Sequence, residues 1–109
     1  MKSLFRNTLM SAAAVAFLAP AALAGTGPEV FQANNCNACH TVSAAGIARQ
    51  ANPDEKAKDL SHIGSTRTKQ DIARFLLKKI DLDGEKHKKT WSGESADLKT
   101  VAEWLESLK

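Results

Sequence analysis

The sequence predicts a small all-α domain, on three observations. Two stretches place apolar residues at helical spacing: Ile72, Phe75, Leu76 and Ile80 in one, and Leu98, Val101, Ala102, Leu105 and Leu108 in the other. No stretch alternates apolar and polar residues as a half-buried strand does. At 109 residues the chain has room for one domain at most, and it contains no internal repeat.

Residues 1–24 read as a secretory signal peptide rather than part of the fold. Lys2 and Arg6 give a positive start, Leu9 to Leu18 an apolar run rich in Ala, Pro20 a break, and Ala22-Leu23-Ala24 a small-x-small cleavage site. The run falls short of the about 20 residues that a membrane span needs. Cleavage after Ala24 leaves a domain of residues 25–109, expected in the periplasm as a monomer without a membrane span. Losing Lys2 and Arg6 takes the formal net charge from +3 to +1, so the sequence pI of about 9.0 overstates the basicity. No dense basic stripe with interleaved aromatics supports nucleic-acid binding.

Within the domain, Gly25 to Gly27 is a flexible lead. Pro28 suits the first turn of a helix, and Glu29 suits its positive dipole end. Val30, Phe31 and Ala33 give that short helix an apolar side toward Asn35. Cys36 and Cys39, three residues apart, share one face of a helical turn. Residues 43–59 lack a period and read as loop, with at most a turn around Glu55 to Lys58. Leu60 to Gly64 is a compact segment ending in Gly. Thr68 is the N-cap of the next helix, with Asp71 three residues on. Its apolar pattern runs to Ile80, Lys78 and Lys79 lie near its negative end, and the Asp83-Gly84 turn signal stops it. Residues 81–93 again have no period and hold His87, Trp91 and Gly93. The last helix starts near Glu94 or Ser95 and carries Trp104 on the edge of its stripe.

The string Cys36-Asn37-Ala38-Cys39-His40 is what covalent c-type haem attachment requires. Each Cys sulfur bonds one haem vinyl group, and His40 binds the iron from one face. A thioredoxin-like redox pair needs a βαβ setting that is missing here. A structural zinc site needs four ligands at set spacing, and neither His62 nor His87 supplies it. A disulfide between the two Cys would close too short a loop to constrain the fold. A mature chain of this size buries only about 60–65% of its extended surface, so a covalent haem c also serves as its core staple. Two haem propionates bring the net charge near −1.

On these residues the chain resembles a bacterial class I c-type cytochrome. Pro28 to Cys36 resembles the family's N-terminal helix, with its aromatic five residues before the first Cys. Asp59-Leu60-Ser61-His62-Ile63-Gly64 and the following Ser65-Thr66-Arg67-Thr68 resemble its haem-packing stretch, which implies that Leu60 packs on the haem. Leu98 to Lys109 resembles its C-terminal helix. The resemblance covers nearly all the mature chain. It implies a small class I cytochrome c-like fold in which the Phe31 helix crosses the Trp104 helix, with haem in a cleft that exposes one edge.

One departure concerns the iron. The family normally supplies a Met as second axial ligand from the loop before the last helix. This chain has Met only at positions 1 and 10, both in the expected signal. Three candidates remain. His87 lies in the irregular stretch where the family places its Met, and neutral imidazole is a good iron ligand. Against it, the run Glu85 to Lys89 also reads as a charged exposed loop. His62 is the second candidate. A five-coordinate iron or a Lys ligand is the third. Trp91 reads either as a propionate donor through its indole N–H or as packing in that loop. Arg67 and Lys58 read as propionate partners or as solvated charges. Lys78, Lys79, Lys86, Lys88 and Lys89 read either as a steering field for acidic redox partners or as ordinary surface charge. Asp81 to Gly84 lacks the ligand series of a calcium loop.

The leading expectation is a non-enzymatic monohaem carrier of single electrons between redox partner proteins, bis-His ligated and of low potential, since imidazole in place of Met favours ferric iron. The alternative is a haem-based sensor or gas-binding protein with an open or displaceable distal site. A third reading is a small cytochrome subunit docked on a larger redox enzyme.

Overall fold

In the computed structural model the described residues are 25–50 and 58–109. The expected signal at 1–24 and most of the turn expected from Glu55 lie outside them. Among the described residues three α-helices carry the fold: α1 (Gly27–Ala33), α2 (Lys69–Leu76) and α3 (Ser95–Glu106). Short 3-10 turns stand at Cys36–Ala38, Ser43–Ala45 and Ile63–Ser65. Among the described residues no strand forms, and the two antiparallel pairings, Val42 with Ile47 and Leu82 with Glu85, are isolated. No helix of the described residues is long and apolar enough to cross a membrane. The fold is all-α, as the periodicity predicts.

The start of α1 differs from the flexible lead read from the sequence. Thr26 is its N-cap, and the cap is reciprocal. The Glu29 N–H donates to Thr26 Oγ1 at 3.3 Å and the Thr26 N–H donates to Glu29 Oε1 at 2.9 Å. This Thr-x-x-Glu box satisfies two backbone donors at once, which sets the helix start ahead of Pro28.

The long helix α3 is the platform. It buries Leu98, Val101, Ala102 and Leu105, and both α1 and α2 pack against it. From the other helices come Val30, Phe31 and Ile72, joined by the bridged pair Val42 and Ile47. Each such side chain contributes about 1.5–3 kcal/mol when buried. The α1–α3 crossing depends on Gly27, because a Cβ there would sit 2.2 Å from Trp104 Cβ. Only a hydrogen fits, so the two helices approach until Phe31 meets Trp104 edge to face, ring centres 5.6 Å apart. That pair adds about 0.5–1.5 kcal/mol beyond its buried area. The Ile63–Ser65 turn closes against the far end of α3, where the Gly64 N–H donates to the Leu108 carbonyl at 2.7 Å.

Helix α2 is shorter than its apolar pattern. Thr68 caps it through the Asp71 N–H at 3.2 Å, but it ends at Leu76 and leaves Ile80 outside. The stop comes at Lys78, whose φ is +59°. The Lys78 N–H reaches the Phe75 carbonyl at 3.0 Å and the Lys79 N–H reaches the Arg74 carbonyl at 2.8 Å. That is a Schellman ending with Lys in the position that usually holds Gly. The chain then turns again at Asp83 and Gly84, both left-handed (φ +53° and +82°), as the two-residue turn between Leu82 and Glu85 requires.

Lys78 carries the left-handed backbone at a cost, so Lys78→Gly is expected to stabilise the haem-loaded protein. The gain should be about 0.5–1 kcal/mol after the larger unfolded-state entropy of Gly is subtracted. A denaturant midpoint that falls instead would contradict the assignment of the helix stop.

Candidate functional site

Both thiols come from the turn that follows α1. Asn35 makes the turn possible by taking a left-handed φ of +57°, and Cys36–Ala38 then forms one 3-10 turn. The His40 N–H returns to the Cys36 carbonyl at 3.0 Å, so His40 is placed directly by the turn that carries the sulfurs. Cys36 is half-buried against the core, Cys39 is exposed, and no disulfide joins them. Burial pushes the Cys36 thiol up, and nearby Lys89 partly opposes this.

The His40 ring is held from behind. Its Nδ1 lies 2.8 Å from the Lys58 carbonyl. A carbonyl only accepts, so Nδ1 carries the proton and Nε2 keeps its lone pair outward. Burial lowers the His40 pKa and favours the neutral ring, with the Lys58 bond opposing and the charge of His87 assisting. Neutral imidazole with an outward Nε2 is the state that binds a metal.

The Lys58 carbonyl is positioned by a cluster that sequence reading missed. Asp59 accepts from the Ser43 N–H at 3.2 Å, the Ser61 N–H at 3.0 Å, the Ser61 hydroxyl at 2.7 Å and the Ser43 hydroxyl. Ser61 in turn accepts from the Ala44 N–H at 2.8 Å, and the Leu60 N–H donates to the Thr41 carbonyl at 2.9 Å. These bonds stitch residues 41–44 to 58–61. The hydroxyl donors of Ser43 and then Ser61 hold the Asp59 carboxyl well below the usual carboxylate range. Ser43 lies 16 residues before Asp59, and nothing in the chain pointed to that contact.

His87 faces His40. Their ring centres are 6.2 Å apart and their planes differ by 11°. The His87 Nδ1 donates to the Lys89 carbonyl at 2.6 Å, which again leaves Nε2 as the lone-pair nitrogen. Phe75, on α2, sets its ring edge to face against His87 at 5.1 Å. Phe75 was legible as an apolar helix position, but its contact with His87 was not. The loop itself is tied to α1 by Lys89, whose Nζ donates to the Asn34 carbonyl at 3.3 Å.

His62 lies elsewhere. Its ring is exposed, and Nδ1 donates to the Lys109 carbonyl at 3.0 Å. The other expected residues are placed as follows. Leu60 is partly buried and packs on the core. Trp91 packs there too, its N–H bonded to the Leu76 carbonyl at 2.8 Å, and its indole Nε1 is buried without a partner. Lys58 and Arg67 both pair with Asp83, at 3.4 Å and 2.8 Å, and Lys58 stays largely in solvent. Lys86 pairs with Asp81 at 2.8 Å.

Residues 24–109, a span that includes every described residue, match the family model described as Cytochrome c, whose members hold a covalently attached haem c. No curated protein and no solved structure matches the chain. The residues present suit that group. Two thiols and a neutral imidazole stand within one turn. Cys36, Leu60, Ile63, Leu76 and Trp91 form a partly exposed apolar set beside the core. The orphaned Trp91 N–H offers a buried donor for a propionate. Among the described residues no group of three or more His, Cys, Asp or Glu is placed to hold a bare metal ion.

Asp59→Asn tests the brace behind His40. The carboxylate has a lowered folded pKa, so it stabilises the fold above the unfolded value of about 3.9 and loses that effect as pH falls toward the folded value. The variant is expected to unfold at a lower temperature than the parent at pH 7, with a constant gap above about pH 5 that narrows below about pH 4. A gap that widens in acid would refute the assignment.

Proposed function

The chain belongs to the cytochrome c family, and on that footing we propose that it is a periplasmic monohaem electron carrier of low potential, with His40 and His87 as the two axial ligands. Haem c, when bound, supplies a one-electron ferric–ferrous couple. One observation carries the ligand assignment: the two imidazoles face each other with ring centres 6.2 Å apart, each with Nδ1 tied to a backbone carbonyl. With metal–imidazole bonds of about 2 Å, two imidazoles bound to opposite faces of one metal hold their ring centres about 6 Å apart. Carbonyl bonds at both Nδ1 atoms fix the tautomer and raise the donor strength of Nε2.

Each residue then has a task. Cys36 and Cys39 anchor the group covalently, and His40 is oriented by the Lys58 carbonyl. His87 fills the face that Met serves in the family pattern, with Phe75 limiting its rotation. Leu60 supplies apolar packing, and Trp91 donates to a propionate. Two imidazole donors favour ferric iron relative to a His–Met pair, which lowers the potential. With both faces filled, no position is left for a substrate, so the protein passes electrons and does not act as an enzyme. Its partners are redox proteins. The lysines of residues 78–89 favour acidic docking surfaces and faster encounter at low salt. The signal sequence read from residues 1–24 supports a periplasmic assignment, where a monomer would shuttle between partners.

Ferric spectra of two variants test the ligand. The parent is expected to be low-spin, His87→Ala high-spin, and His62→Ala low-spin like the parent. A low-spin His87→Ala protein would overturn the ligand assignment in favour of another residue, and a high-spin parent would overturn the proposal in favour of a sensor with an open distal site.

A further inference from the structure

Lys58 touches both faces of the site. Its carbonyl accepts from His40 Nδ1 at 2.8 Å, and its ammonium lies 3.4 Å from Asp83 Oδ2. Asp83 also accepts from Arg67 Nη2 at 2.8 Å. Asp83 sits at the left-handed corner of the turn that opens the His87 loop, four positions before His87. One carboxylate therefore joins the distal loop to the segment behind the proximal ligand.

We propose that Asp83, held between Lys58 and Arg67, is a positioning residue that latches the His87 loop and sets how readily His87 leaves its place opposite His40. The inference rests on His87 being the distal ligand. Arg67 is the stronger arm. Its side chain is 27% exposed, against 69% for Lys58, so solvent screens its bond less. Lys89 reaches the Asn34 carbonyl beyond His87, and the Trp91 N–H reaches the Leu76 carbonyl. On the side before His87, the Asp83 bonds are the ones that cross from the loop to residues 58–67. The pair of Lys86 with Asp81, by contrast, stays within the loop.

The position allows a clean substitution. Asn accepts a left-handed φ before Gly as readily as Asp does, so Asp83→Asn removes the charge and keeps the turn. The reduced haem-loaded proteins are mixed with carbon monoxide, and the binding rate is read together with the thermal unfolding midpoint. Binding by the parent requires His87 to leave first. Asp83→Asn is expected to bind about three to ten times faster, the span that two partly exposed ion pairs allow, with a midpoint lower by only the few degrees that the same loss implies. Asp81→Asn, which breaks a pair inside the loop, is expected to bind at the parent rate. An Asp83→Asn rate equal to the parent's, or equal acceleration by Asp81→Asn, would overturn the latch. His87→Ala separates the two levels. If it binds fast while Asp83→Asn matches the parent, the latch alone is wrong. If it binds at the parent rate, the ligand assignment itself is wrong and the latch falls with it.

Discussion

The rings of His40 and His87 come from distant parts of the chain and stand with their centres 6.2 Å apart and their planes nearly parallel, and the proposed function depends on that arrangement. His40 comes from the turn that carries the thiols, and His87 from an irregular loop between two helices. The His40 ring is held from a distant segment and the His87 ring from two residues on in its own loop. Each is oriented by a backbone carbonyl, Lys58 for one and Lys89 for the other. A carbonyl is a suitable brace because it accepts only, so it sets the tautomer as well as the ring angle.

The helices supply rigidity at one remove. Gly27 lets α1 close on Trp104, which fixes the thiol-bearing turn relative to α3. Helix α2 packs on the same platform and presents Phe75 to His87. Among the described residues between the first 3-10 turn and α2 no long helix forms, and hydrogen bonds there supplement the packing of Val42 and Ile47. Asp59 gathers the two serines, and Lys58 is carried into place beside them. The apolar crossing thus positions the thiol-bearing turn, and the polar cluster positions the His40 ring.

Periodic features were legible in the chain and contact features were not. The apolar stripe of α3 has a 3.6-residue period over three turns, so its buried face could be read directly. The cysteine string specifies its chemistry in five residues, and the absence of Met after position 10 is a matter of inventory. The α2 pattern misled at Ile80, because a Schellman turn at a lysine carries none of the Gly signal that marks most helix stops. The Thr26–Glu29 box was overlooked beside the more conspicuous Pro28. Val42 and Ile47 are both buried, yet a single tight turn leaves no period to detect. The brace on His40 and the pairing of Asp83 with Lys58 and Arg67 join residues 16 or more positions apart, a range at which one sequence carries no pattern.

The central claim is that two imidazoles with nearly parallel planes hold the iron. The electron paramagnetic resonance spectrum of the ferric, haem-loaded parent tests it most directly, since it reports both the spin state and the relative orientation of the axial rings. The 11° between the ring planes predicts a rhombic low-spin signal. A high-spin signal would contradict the account.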